Sequence, residues 1–119
     1  MAMKKQTFLK SLAVALYGIA QFFARERNAQ LHLVAALLVI VLSIALKISE
    51  IEWLFIALAI SLVFITEIIN TSLEKICDLI SKDFHPDIKF IKDISAGAVL
   101  IAALFSVVTA CIIFIPRFL

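Results

Sequence analysis

Glu67, Asn70, Glu74 and Asp78 follow one another at intervals of three and four residues. At about 100° of rotation per residue they fall at roughly 0°, −60°, −20° and +20° around a helix axis, so three acids and an amide share one face. Like charges at this spacing repel. The first of them also adjoins an apolar run, Trp53 to Ile65, that belongs in hydrocarbon, where a carboxylate costs at least about 2.5–3.5 kcal/mol. A cation has to offset these costs. Mg²⁺ suits the position, because it takes one or two carboxylates together with water and phosphate oxygens, and a nucleotide supplies the phosphate. The alternative is structural: acids at a helix end are solvated, or pair with Lys75 and Lys92.

Other polar residues carry a chemical and a plain reading side by side. Glu26 stands just before the first long apolar run. It either completes a metal site across helices with Glu74, or is an exposed acid paired with Arg25 or Arg27, worth little energetically. No Gly-rich phosphate loop occurs: Ala96-Gly97-Ala98 lies inside an apolar run and reads as close helix packing of small residues. Phosphates would then be held by metal, by lysines such as Lys92, and by the free N–H groups at the start of the last helix, where Asp93 also stands. His85 beside Pro86 reads as a solvated loop histidine, and His32 as a snorkelling residue at the membrane interface. Cys77 and Cys111 fall near opposite ends of their spans, too far apart for a disulfide, and read as small lipid- or core-facing residues.

The elements that position these groups follow from composition. In 119 residues the hydrophobic fraction is 64% and the mean hydropathy +1.12, well above soluble domains, so bilayer is the expected solvent. Nothing alternates in the manner of barrel strands, and helices satisfy their own backbone in lipid, which gives an all-α membrane fold. Phe8, Leu9, Leu12, Leu16, Ile19 and Phe23 recur at helical spacing, with Lys4, Lys5, Lys10 and Gln21 mostly elsewhere, so an amphipathic surface helix is expected over about 4–25. Three spans follow at about 29–48, 51–76 and 94–115, with Asp93 or Ser95 capping the last and Pro116 near its end. Between the second and third, Lys75 to Asp93 is rich in both charges and holds Pro86, which predicts a solvated loop over about 77–93.

The lysines and arginines near span ends gather in the N-terminal helix and in 75–93, which puts both on the cytoplasmic side and the 47–52 connection, poor in basic residues, on the other; Arg117 on the far side opposes this only weakly. Lysines before the first apolar run hint at a signal peptide, but Arg25, Glu26 and Arg27 interrupt it and no small-residue cleavage pattern follows, so the chain is expected to be kept whole. Net charge is +2 with no basic patch, which sets nucleic acid aside as a partner.

Glu26-Arg-Asn28, Glu67-Ile-Ile-Asn70-Thr-Ser-Leu-Glu74 with Asp78, His85, and Lys92-Asp93 followed by Ser-Ala-Gly-Ala-Val-Leu closely resemble the bacterial diacylglycerol kinase family, which includes the undecaprenol kinases. The resemblance covers nearly the whole chain in order and spacing. It implies a homotrimer in the bacterial cytoplasmic (inner) membrane, with active sites shared between protomers at the cytoplasmic interface, and ATP with Mg²⁺. By position, Glu67 matches the family's proton acceptor, Asn70 a supporting residue, and Glu26 and Glu74 the metal ligands. Asp78, Asp83, Phe84, His85, Lys92 and Asp93 match its nucleotide-binding residues. The surface helix departs from the pattern, with Thr7 where some members have an arginine and Val14 where many have a tyrosine.

The expected reaction is transfer of the ATP γ-phosphoryl group to the hydroxyl of a membrane lipid, diacylglycerol first and undecaprenol as the alternative. A non-enzymatic membrane protein binding cations or a partner helix is the rival class; a carrier would more often hold its acids near mid-span, whereas these gather at one end.

Overall fold

The computed structural model describes residues 7–119, which form four helices and no strand: α1 (Phe8–Arg25), α2 (Arg27–Ala45), α3 (Glu50–Ile80) and α4 (Pro86–Phe118). Helices α2, α3 and α4 are long and apolar enough to cross a membrane, as composition requires. Lys4 and Lys5, expected at the start of the surface helix, lie outside the described residues.

Helix α1 begins where the Thr7 hydroxyl accepts the Lys10 N–H at 3.2 Å, a standard N-cap. Its apolar residues Phe8, Leu9, Leu12, Leu16 and Ile19 are exposed within the chain, which suits a helix whose apolar face meets lipid. Its last turn is anchored: Phe22 is buried, and Phe23 packs edge-on against Phe64 of α3 with ring centroids 5.0 Å apart. The chain then bends at Glu26, whose extended backbone ends α1 and precedes α2. Gln30 stabilises the bend by donating its Nε2 to the Phe23 and Ala24 carbonyls, at 3.0 and 3.3 Å, groups the helix end would otherwise leave unpaired.

At the far end of the bundle, Lys47 takes a positive φ of 51° to turn α2 into α3. Ser49 and Glu52 form a capping box, each side chain accepting the other's backbone N–H. Ile48, Ile56, Ile113 and Phe114 make the main buried cluster beside this turn, with Trp53 and Leu46 against it. Within the membrane, the Ser106 hydroxyl of α4 donates to the Ala59 carbonyl of α3 at 3.3 Å, a polar link of the kind that joins helices in lipid.

Arg117, the cation that opposed the charge bias, is neutralised by Glu52 through two bonds of 2.8 Å. This bidentate pair ties the end of α4 to the start of α3, and Arg117 also donates to the Ile113 carbonyl at 2.7 Å. Glu52→Gln and Arg117→Gln should each lower the thermal midpoint in detergent by a few degrees. The double variant should fall close to the worse single one, a non-additivity that differential scanning fluorimetry on the three proteins would check.

The segment 77–93 is not the loop expected from its charges. Helix α3 continues to Ile80, only residues 81–85 are non-helical, and α4 already begins at Pro86. Proline opens this helix because its missing N–H is one of the first-turn donors that lack a partner anyway. His85 is the cap, its Nδ1 accepting the Asp87 N–H at 3.1 Å, in place of the expected Asp93 or Ser95. The charges suit a helix that has left hydrocarbon: Lys89 pairs with Asp93 one turn on, and Lys92 with Asp78 of α3. Smaller differences are that α2 ends at Ala45 and that α4 passes Pro116 to reach Phe118. Ala96-Gly97-Ala98 is not a packing notch within one chain, since a Cβ on Gly97 would meet nothing within 4 Å. Cys77 is buried and Cys111 exposed, both free.

Candidate active site

The acid stripe forms on α3, and three of its four members open into one recess. Glu67, Asn70 and Glu74 line it together with Thr71, facing Glu26 and Asn28 at the α1–α2 bend and Ala96 and Val99 of α4; its volume is about 260 Å³. Helical period explains the α3 contribution, and the bend at Glu26 explains how an acid some 40 residues earlier joins it. Glu67 and Glu74 are separated by ~10 Å of helix rise, which gives the recess a deep and a shallow end.

Glu67 occupies the deep end. Its side chain is 8% exposed, and its Oε1 lies 2.9 Å from His32 Nε2 on α2. Asn70 follows, donating Nδ2 to Glu74 Oε1 at 3.4 Å, while its Oδ1 is buried with no hydrogen-bond partner among the described residues. A buried carbonyl oxygen left unpaired calls for a donor or cation from outside the chain. Glu26, at the shallow end, is 3.4 Å from Lys75 rather than paired with Arg25 or Arg27; with Lys75 mostly exposed, the contact is weak.

A test for Mg²⁺ follows from these donors. Among the described residues no three His, Cys, Asp or Glu side chains converge as a complete metal cage. Mg²⁺ does not ask for one: it binds through one or two carboxylates and completes its shell with water and phosphate. Glu26 from the α1–α2 bend and Glu74 from α3 line the same recess, and with Asn70 Oδ1, unpaired among the described residues, they are an all-oxygen set of the kind Mg²⁺ takes.

The remaining predicted residues lie outside this recess, around the α3–α4 connection. Asp78 receives Lys92 Nζ at 2.7 Å. It stands beyond the ~20 residues that cross hydrocarbon counted from Trp53, and this bond holds its carboxyl below the usual range. Asp93 pairs with Lys89, Phe84 is exposed, and His85 caps α4. Asp83 donates its N–H to Ser81 at 3.1 Å. Helix α4 starts at Pro86, which has no N–H, with the Asp87 N–H bonded to His85 Nδ1 and the Lys89 N–H to the His85 carbonyl, so Asp93 stands inside the helix and no helix start lies beside it to bind phosphate. Sequence reasoning missed the His32–Glu67 and Glu26–Lys75 contacts.

The chain matches the model of the family described as prokaryotic diacylglycerol kinase over residues 13–114. The chain belongs to that family. It is therefore a lipid kinase, drawing its phosphoryl group from a donor such as ATP, and the reading as a non-enzymatic membrane protein falls. It is 39% identical over 110 residues to an undecaprenol kinase of Bacillus subtilis (strain 168), covering 92% of this chain and 89% of that protein. A diacylglycerol kinase of Synechocystis sp. is 35% identical over 93% of this chain, which spans 64% of that protein's length. A diacylglycerol kinase of Escherichia coli (strain K12) is 29% identical over 92% of this chain and 90% of that protein.

Proposed function

We propose that the chain transfers the γ-phosphoryl group of ATP to the hydroxyl of a membrane lipid at the recess lined by Glu26, Glu67, Asn70 and Glu74. The observation that carries this reading is the depth order within that recess, a buried carboxylate inside and a carboxylate pair with an unsatisfied amide oxygen outside. A lipid hydroxyl resides near the interface with its tail in hydrocarbon, so the group that takes its proton has to stand at membrane depth. Glu67 does so. ATP arrives from water, so the groups that receive its phosphates belong one or two turns further out, where Glu26 and Glu74 are.

In the reaction Glu67 accepts the hydroxyl proton as the lipid oxygen bonds to the γ-phosphorus and the bond to the ADP oxygen breaks. Glu26, Glu74 and Asn70 Oδ1 would hold Mg²⁺, which when bound neutralises charge on the phosphates. Asp78, Asp83, Phe84, His85, Lys92 and Asp93 form the nucleotide side, with Lys92 exchanging Asp78 for phosphate. The residues do little covalent chemistry; positioning and charge neutralisation suffice for phosphoryl transfer, which a fold this small can supply. The N-terminus and residues 81–85 face the cytoplasm of a bacterial inner membrane. The family resemblance implies a homotrimer in which a neighbouring protomer closes the site, and the flank at Gly97, where an added Cβ would meet nothing within 4 Å, leaves room for one.

For the acceptor, undecaprenol is the first reading, supported by 39% identity to a kinase of that name, and diacylglycerol the second, supported by the Synechocystis and Escherichia coli relatives. Competition in mixed micelles, with both lipids present and radiolabelled ATP, should give a kcat/KM at least about tenfold higher for undecaprenol, about 1.4 kcal/mol of discrimination. A ratio favouring diacylglycerol would reverse the order.

A further inference from the structure

His32 takes no part in the steps above, yet among the described residues no other side chain is paired with the Glu67 carboxylate. It stands on α2, ~9 Å of helix rise beyond Glu26. The two partners face different spaces. Glu67 lines the polar recess. His32 lines an apolar groove that continues between α2, α3 and α4 past Ala36, Val63, Ala59 and Ile56. The contact between them is thus the point where a hydrocarbon-lined groove and the acid-lined recess adjoin.

We propose that His32 is a positioning residue for phosphoryl transfer: its Nε2, 2.9 Å from Glu67 Oε1, engages that oxygen as a close polar contact between α2 and α3, which restricts the plane of the carboxylate and leaves Oε2 for the lipid hydroxyl. This rests on the reading of Glu67 as proton acceptor. A terminal carboxylate rotates in a broad, shallow potential, and among the described residues no other side chain is paired with Glu67 to select one orientation. An Nε2···Oε1 contact of 2.9 Å against a buried carboxylate restricts that rotation. The orientation matters because a misplacement of about 1 Å at a reacting group can cost ~10²-fold in rate.

The test uses the purified full chain in mixed micelles with Mg²⁺ and ATP, comparing His32→Ala, His32→Met and His32→Gln with Glu67→Gln alongside. Gln presents an amide N–H at a similar reach, whereas Ala and Met have no donor and Met keeps the bulk. The donor-free variants should lose roughly tenfold to hundredfold in kcat, with KM for ATP and lipid within about twofold of the parent, and Gln should recover most of the rate. An unchanged kcat in His32→Ala and His32→Met, an equal loss in Gln, a rise in lipid KM in place of lost kcat, or failure of both donor-free chains to fold would each overturn the assignment. If Glu67→Gln keeps the parent rate, the proton-acceptor reading itself fails. If Glu67→Gln is inactive while the His32 variants are not, only the role of His32 fails.

Discussion

Glu67→Gln should lower kcat for lipid phosphorylation by about 10³-fold, within the 10²–10⁴ that a positioned proton acceptor contributes. Glutamine has the same shape and can still meet His32, so folding and the groove beside it stay as they are. What it removes is the capacity to take a proton. At 8% side-chain exposure the site admits little water to serve instead. Because the lost interaction forms only as the hydroxyl oxygen attacks, KM for ATP and for lipid should change by less than about threefold. Raising Mg²⁺ should not restore the rate.

Glu74→Gln and Glu26→Gln should behave differently. Each removes one carboxylate from an all-oxygen set, and the Mg²⁺ concentration giving half-maximal activity should rise by at least about tenfold, with much of the rate regained at high Mg²⁺. Glu74→Gln is expected to be the more severe, since accepting from Asn70 Nδ2 occupies the one carbonyl oxygen that glutamine retains and leaves its –NH2, which is no metal ligand, towards the recess. Initial rates across a Mg²⁺ series at fixed ATP would show the shift. An activation midpoint unchanged in both variants would remove them from the metal site, whatever their effect on kcat.

The stripe on α3 was legible because a fixed helical period turns sequence spacing directly into a shared face, and Glu67, Asn70 and Glu74 line one recess as their spacing requires. The membrane character followed from composition for similar reasons. His32 was not read as a partner, though a signal was available. Glu26 faces Lys75 across α2 and α3, and stepping about six residues into one antiparallel helix and about eight back along the other brings His32 to Glu67, since each residue advances 1.5 Å. Using it required knowing that Glu26 and Lys75 meet, and a pairing between helices is a tertiary fact that periodicity in one helix does not contain.

The stretch 77–93 misled for a different reason. Charge density and Pro86 argue against a helix in hydrocarbon, but not against one that has passed into water with i,i+4 pairing and proline at its first position. The nucleotide side rests on family likeness alone: Asp78 and Lys92 pair with each other and Asp93 pairs with Lys89, and none of the three lines the recess.

The central claim is that this small helical chain moves phosphate from ATP onto lipid through Glu67. The most direct measurement is the appearance of label from γ-³²P ATP in the organic-extractable lipid fraction, for the purified chain and for Glu67→Gln, with Mg²⁺ and with either undecaprenol or diacylglycerol. Label should enter lipid with the parent chain and fall to about a thousandth of that rate with Glu67→Gln. Label confined to the aqueous phase with both lipids, or equal transfer by the two proteins, would contradict the claim.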